Sequence, residues 1–207
     1  PYIILPPLEY DFEAQRLKKT IQEHIEPMPN RIKKKWGKRL ALLDFHDSLE
    51  NKIMDNGDSV VKYVHTEALA MGCKLIPVIS LQKSNAYLAE VQSVVTTQKN
   101  GIVLRLFLED LDKLTINDEI DKILNFFELG INDIDLIIDL RTPDKFEPYP
   151  LFSNLVYTKI SYINDLKHYR SFIIAANSLD LGKIKQPGGV FTRHEWVIYP
   201  YLVSKFK

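Results

Sequence analysis

The 207-residue sequence holds a single cysteine, Cys73. No internal disulfide and no multi-cysteine metal site can form from it, and such sparse use of cysteine fits a reducing, cytoplasmic compartment. Neither sign of charge is in excess: 27 Lys and Arg balance 27 Asp and Glu, for a formal net charge of zero. That balance argues against a whole-protein electrostatic grip on nucleic acid and leaves only local patches. No apolar run reaches about 18 residues, so no membrane span is expected. Repeats and low-complexity tracts are missing. So are GxGxxG, P-loop, HExxH and GxSxG motifs, which removes the simplest nucleotide, zinc-protease and serine-hydrolase readings. Ser178 in particular has no nucleophile-elbow context. What remains, 45% hydrophobic and 26% charged, is the composition of a globular protein, and the length suits one domain over residues 1–207.

The N-terminus, Pro1-Tyr2-Ile3-Ile4-Leu5-Pro6-Pro7, has neither the basic segment nor the cleavage site of a signal peptide. It starts directly in strand-like residues. Ser204-Lys205-Phe206-Lys207 stops where a helix pattern ends. Both ends read as cut, and the chain is expected to be part of a longer protein.

Short apolar runs alternate with helical patterns. The expected strands are Tyr2–Leu5, Leu40–Phe45, Lys74–Ile79, Ile102–Leu108, Asp135–Leu140 and Phe172–Ala176. They are rich in Ile, Leu, Val and Phe, as strands buried on both faces should be. Thr20-Ile21-Gln22-Glu23 predicts a capping box, and Pro27 and Pro29 predict a kinked or split helix after it. Ser59, Ser84 and Asn117 are expected to cap the next three helices, with Gly130 closing the last of these. A fifth helix is expected over 150–163. Thr192-Arg193-His194-Glu195 predicts a second capping box for a final helix. Strand and helix in repeated alternation imply an α/β fold with a parallel sheet. Periodicity leaves two architectures open, a doubly wound sheet and a barrel.

In parallel α/β folds the strand C-termini share a face, and that is where sites sit. Glu9 and Asp11 follow the first strand, Asp44 and His46 end the second, and Asp139 ends the fifth. Asp44 and Asp139 are the leading catalytic or metal candidates: carboxylates converging there would hold Mg²⁺ or act as a general base. Arg105, in the middle of the fourth strand, joins them. The competing reading makes Asp44 or Asp139 the ion-pair partner that a buried arginine requires. His46 alone fits a hydrogen-bonded structural histidine more readily than a ligand.

A second constellation, Lys183-Ile184-Lys185-Gln186-Pro187-Gly188-Gly189, precedes the final helix. Its glycines would let backbone N–H groups approach an anion, and Lys185, Gly188, Gly189, Arg193 and Glu195 are the candidate ligand-binding residues with Glu9. A plain Pro-Gly turn with exposed lysines is the alternative. The basic run Arg31, Lys33, Lys34, Lys35, Lys38 and Arg39 fits the solvated face of a helix packed through Ile32 and Trp36 better than a nucleic-acid contact, because no aromatics interleave to stack bases.

Several segments, in order, resemble the beta protein family of phages and bacterial mobile elements. They are Pro6-Pro7 with Asp11-Phe12, His24, Trp36-Gly37, the strand ending in Asp44, Ile76-Pro77-Val78, Leu104-Arg105-Leu106, Asp135 to Leu140, Arg170-Ser171-Phe172 and Arg193-His194-Glu195-Trp196. The resemblance spans almost the whole chain. It implies a (β/α)8 TIM-barrel-like fold, here missing the first and last strands, and it places the Gly-Gly loop where such barrels often bind phosphate. Two turns depart from the family pattern: Asn177-Ser178-Leu179 stands where many members have Ser-Phe-Pro, and Asp139-Leu140-Arg141 where many have Asp-Leu-Gly.

Three functional expectations follow. One is a phage-defence or mobile-element protein that binds an anionic ligand, a nucleotide or phosphoester, at the strand ends. The second is a metal-dependent phosphodiester hydrolase using the same residues. The third is a non-catalytic module that binds a protein partner.

Overall fold

The computed structural model describes residues 1–143, 145–180 and 189–206. The fold is mixed α/β, and the chain divides into two compact units, residues 1–104 and 105–207.

In the first unit, β1 (Tyr2–Leu5) pairs in parallel with β4 (Leu40–Phe45), and β4 with β5 (Lys74–Ser80). A small antiparallel hairpin, β2 (Tyr10–Asp11) and β3 (Arg16–Leu17), follows β1. Its two-residue strands are too short to leave a periodic signal in the sequence. Helices α1 (Ile21–Ile25) and α2 (Met28–Trp36) come before β4, α3 (Val60–Ala70) links β4 to β5, and α4 (Asn85–Gln98) leads to β6 (Ile102–Phe107). Strand β6 carries the chain into the second unit, where α5 (Ile116–Phe127), β7 (Ile134–Asp139), α6 (Tyr149–Ile160), β8 (Ser171–Ala175) and α7 (His194–Val203) follow. Strands β7 and β8 are parallel, with Asp135 opposite Ser171 and Asp139 opposite Ala175. The neighbouring strands run β1-β4-β5 in the first unit, and β7 lies beside β8 in the second.

The six expected strands are all present, displaced by at most one residue. Every residue of β7 is buried, and β5 is buried from Leu75 to Ser80. Such strands are covered on both faces, which explains continuous apolar runs in place of alternation. Pro77 stays inside β5, opposite Leu43.

Local chemistry sets most helix starts. The Thr20 hydroxyl accepts from the Glu23 N–H at 3.2 Å while Glu23 accepts from the Thr20 N–H at 2.8 Å. Pro27 then divides α1 from α2. Ser59 and Ser84 each accept an N–H from three residues on. The basic run is largely solvent-facing, with Ile32 buried beneath it and the Arg39 guanidinium 3.7 Å from the Trp36 ring centre.

Three cap expectations are corrected. Helix α5 begins at Ile116, and Asn117 instead ties two backbone groups, donating to the Tyr162 carbonyl and accepting from the Asn164 N–H, each at 2.9 Å. Glu128, not Gly130, takes the left-handed position that ends α5, at φ 54°. The Thr192 box does not form: α7 opens after Arg193 without a local side-chain cap.

One buried polar side chain, His65, lacks the partners that the others have among the described residues. His65 on α3 is 1% exposed, lies 6.1 Å from the Phe45 ring, and has no hydrogen-bond partner on either ring nitrogen among the described residues. Burial alone drives its pKa down to about 3. An unfolded chain takes up this proton below the ordinary histidine value, near 6.5, whereas the folded ring refuses it until about 3. The stability held above the higher value is therefore lost as pH falls towards the lower one, on the order of 4–5 kcal/mol in all. His65→Leu is expected to raise stability at neutral pH by about 1–2 kcal/mol, since it removes buried polar atoms without partners. Urea denaturation across pH 3 to 7 should show a flatter acid limb for the variant.

Candidate functional site

The chemistry of the second unit gathers at the carboxyl ends of β7 and β8. Asp135, Ile137 and Asp139 share one face of β7, and the two acids have different fates. At the start of the strand, Asp135 accepts two hydrogen bonds from the Arg170 guanidinium, at 3.0 and 2.7 Å, and one from the Ser171 hydroxyl at 2.7 Å. This bidentate pair joins the starts of β7 and β8 and is scaffold.

At the other end, Asp139 is 8% exposed. Its Oδ2 accepts from Arg105 Nε at 2.8 Å and from Arg105 Nη2, and its Oδ1 accepts from the Arg141 N–H at 2.7 Å. Both oxygens are engaged. Arg141 lies at φ 54°, the left-handed region where glycine is preferred. The Asp139 bond holds its backbone there. Its side chain lies 3.8 Å from the Phe107 ring centre and pairs with Glu109 at 2.8 Å. Arg105 stacks on the same ring at 4.7 Å.

The turns after β7 and β8 meet. The Asn177 N–H donates to the Arg141 carbonyl at 2.8 Å. Asn177 then accepts from the Leu179 N–H at 3.0 Å, and Ser178 reaches the start of α7. There the Glu195 N–H donates to Ser178 Oγ at 3.0 Å, and the Ser178 hydroxyl donates to the Glu195 carboxylate. Ser178 is thus the cap that Thr192 was expected to provide, delivered from 17 residues away. Arg193 also donates to Glu195. Burial raises the Glu195 pKa, but hydrogen bonds from Ser178 and Arg193 outweigh it, and the carboxyl sits below its ordinary range.

Three cavities adjoin this ridge. One of 350 Å³ is lined by Thr142, Lys145, Phe146, Ser178 and His194, among others. One of 320 Å³ is lined by Asn177, Ser178, Phe191, Thr192 and Arg193, among others. A third, of 590 Å³, is bounded by Leu140, Ile174, Arg193, Trp196 and Tyr199, among others. Ser178 lines the first two and Arg193 the last two. His194 is packed face to face on Phe146, with ring centres 5.5 Å apart, and its Nδ1 lies 2.8 Å from the Tyr149 hydroxyl.

In the first unit, Asp44 is 3% exposed and accepts from the Tyr2 hydroxyl at 2.6 Å and the Phe45 N–H at 2.8 Å. Beside it in sequence, the Phe45 carbonyl accepts from Lys83 at 3.3 Å. The Lys83 side chain is 6% exposed, pairs with Asp47 at 2.6 Å and sits 4.9 Å over the Tyr87 ring. His46 is exposed and accepts from the Ser48 N–H at 3.2 Å. Glu9 is exposed and faces Lys18 at 3.5 Å, a surface pair of small energetic weight.

Of the sequence candidates, Arg105 and Asp139 bond directly, as do Arg193 and Glu195. Gly189 lies near the latter pair in sequence, and a Cβ placed on it would come within 3.3 Å of the Phe191 ring. Asp44 and Glu9 belong to the first unit. Lys185 and Gly188 lie outside the described residues. Among the described residues no three His, Cys, Asp or Glu side chains form a metal-sized group. Sequence reasoning missed Tyr2, Lys83, Tyr149 and His194. The only signal available for His194 was its place beside Arg193; Tyr149, 45 residues away, gave none.

A family model described as Beta protein matches residues 1–207. No curated protein matches the chain.

Asp139→Asn removes the charge facing Arg105 while keeping an acceptor for the Arg141 N–H. A loss of about 3 kcal/mol is expected in chemical denaturation, the range for breaking a largely buried pair. Asp44→Asn, whose partners include a neutral phenol, is expected to cost less.

Proposed function

The chain belongs to the Beta protein family, and from that premise we propose that it binds an anionic ligand of the phosphoester class at the carboxyl ends of β7 and β8. The observation that carries this reading is the placement of Arg193. Its side chain is 66% exposed, lines two adjoining cavities, and is oriented by Glu195, which Ser178 fixes in turn. An oriented guanidinium beside a cavity recognises phosphate oxygens at low entropic cost. The family resemblance supports the finer architecture, in which these strands are six of the eight of a parallel barrel and the site lies on the face where such barrels bind phosphate. It also supports a setting in phage and host conflict, with the protein acting as a binder in defence or on a mobile element.

Metal-dependent phosphodiester hydrolysis is the weaker alternative. Asp139 has committed one oxygen to Arg105 and the other to the Arg141 backbone. A cation there would first have to displace a guanidinium.

Isothermal calorimetry with AMP and inorganic phosphate tests the reading. Saturable heat is expected from both, and Arg193→Gln should weaken both about tenfold or more, the scale of one charge-assisted hydrogen bond. Absence of heat from the wild-type protein, or unchanged affinity in the variant, would reject the site.

A further inference from the structure

The 350 Å³ cavity contains a histidine whose protonation pattern is dictated by its neighbours. Tyr149 and His194 are the first residues of α6 and α7. The Tyr149 hydroxyl lies 2.9 Å from Glu147 Oε1 and 2.8 Å from His194 Nδ1. A phenol has one proton to give. An ionised carboxylate can only accept, so that proton goes to Glu147. The phenol oxygen is then an acceptor towards the histidine, and the close contact is favourable only if Nδ1 carries the hydrogen. Burial and the Glu147 contact raise the Tyr149 pKa, which keeps the phenol protonated at neutral pH. Stacking on Phe146, with planes 8° apart, fixes the ring plane. Nδ1–H leaves a lone pair on Nε2, and Nε2 has no hydrogen-bond partner among the described residues.

We infer that Glu147, Tyr149 and His194 form a relay that holds neutral His194 as the Nδ1–H tautomer, so that Nε2 accepts a hydrogen bond from a sugar hydroxyl of the bound ligand. The inference rests on the anion-site reading for the other half of the ligand. Ser178 lines both the His194 cavity and the cavity lined by Arg193. A molecule lying across that ridge presents phosphate to Arg193 and a sugar to His194. The 350 Å³ volume is near the lower end for small-molecule sites, which suits a sugar better than a larger group. The ligand class narrows from any phosphoester to one that carries a sugar hydroxyl beside its phosphate, for which a ribonucleotide serves as the probe.

The relay has a readout that needs no ligand. Long-range ¹H–¹⁵N NMR at about pH 8, above the ordinary histidine range, should show the Nδ1–H form for His194 in the wild-type protein. Glu147→Ala frees the phenol proton to turn towards Nδ1, and should convert the ring to Nε2–H. Tyr149→Phe removes the acceptor and should shift the ring the same way. Glu147 is exposed, so its truncation leaves the fold intact.

Calorimetry with AMP, 2′,3′-dideoxy-AMP and inorganic phosphate reads the ligand half. Wild-type protein should prefer AMP over the dideoxy compound by about tenfold, one hydrogen bond's worth. Glu147→Ala should lose that preference while binding phosphate as before. An Nε2–H ring in the wild-type protein overturns the relay whatever binds. Equal affinity for the two nucleotides, or a preference that survives in Glu147→Ala, overturns the sugar contact. Absence of heat from all three ligands overturns the anion site itself, and the tautomer still decides the relay.

Discussion

The buried carboxylate of Asp139 holds the end of β7 together. One oxygen neutralises Arg105 on β6, and the other fixes the Arg141 backbone in a left-handed turn. Neither partner is comfortable alone. A mostly buried guanidinium without a counter-charge is costly, and a non-glycine residue at positive φ is strained. One side chain offsets both. Because Arg141 is held there, its carbonyl is available to the Asn177 N–H, and the turn after β8 is tied to the turn after β7. Ser178 is thereby brought to the start of α7, where it caps the helix and orients Glu195 and Arg193.

The proposed anion site and the His194 relay sit on the consequences of that sequence of contacts. Arg193 owes its orientation to Glu195, and Glu195 to Ser178. His194 is the next residue after Arg193, so capping the helix at this point also sets where its ring meets Tyr149 and Phe146. The turns after β7 and β8 are therefore mutually supporting. Arg141 holds a backbone conformation that glycine adopts more easily, and its side chain contacts Phe107 and Glu109.

The first unit solves a similar problem differently. Asp44 is as deeply buried as Asp139, yet its partners include the Tyr2 hydroxyl and its own neighbour's N–H. Lys83 closes the end of β4 by bonding the Phe45 carbonyl. His65 is the exception in this unit: a polar ring kept neutral in an apolar core by burial alone. Its ring nitrogens, without partners among the described residues, cost stability at neutral pH, and the cost grows in acid because a buried imidazole opposes protonation.

Strand positions were legible in the sequence because burial on both faces leaves an uninterrupted apolar run whatever the sheet's final form. Caps at Thr20, Ser59 and Ser84 were legible because donor and acceptor lie three residues apart. The family was legible from an ordered set of short segments. What only the tertiary structure decided were contacts spanning tens of residues: Arg105 with Asp139, Asn177 with Arg141, Tyr149 with His194. Thr192 carried the local signature of a cap and lost the role to Ser178. Asn117 likewise gave up a cap to bridge Tyr162 and Asn164. A hydroxyl or amide bonds whichever backbone group packing brings to it, and sequence spacing records only the neighbours that are already close along the chain.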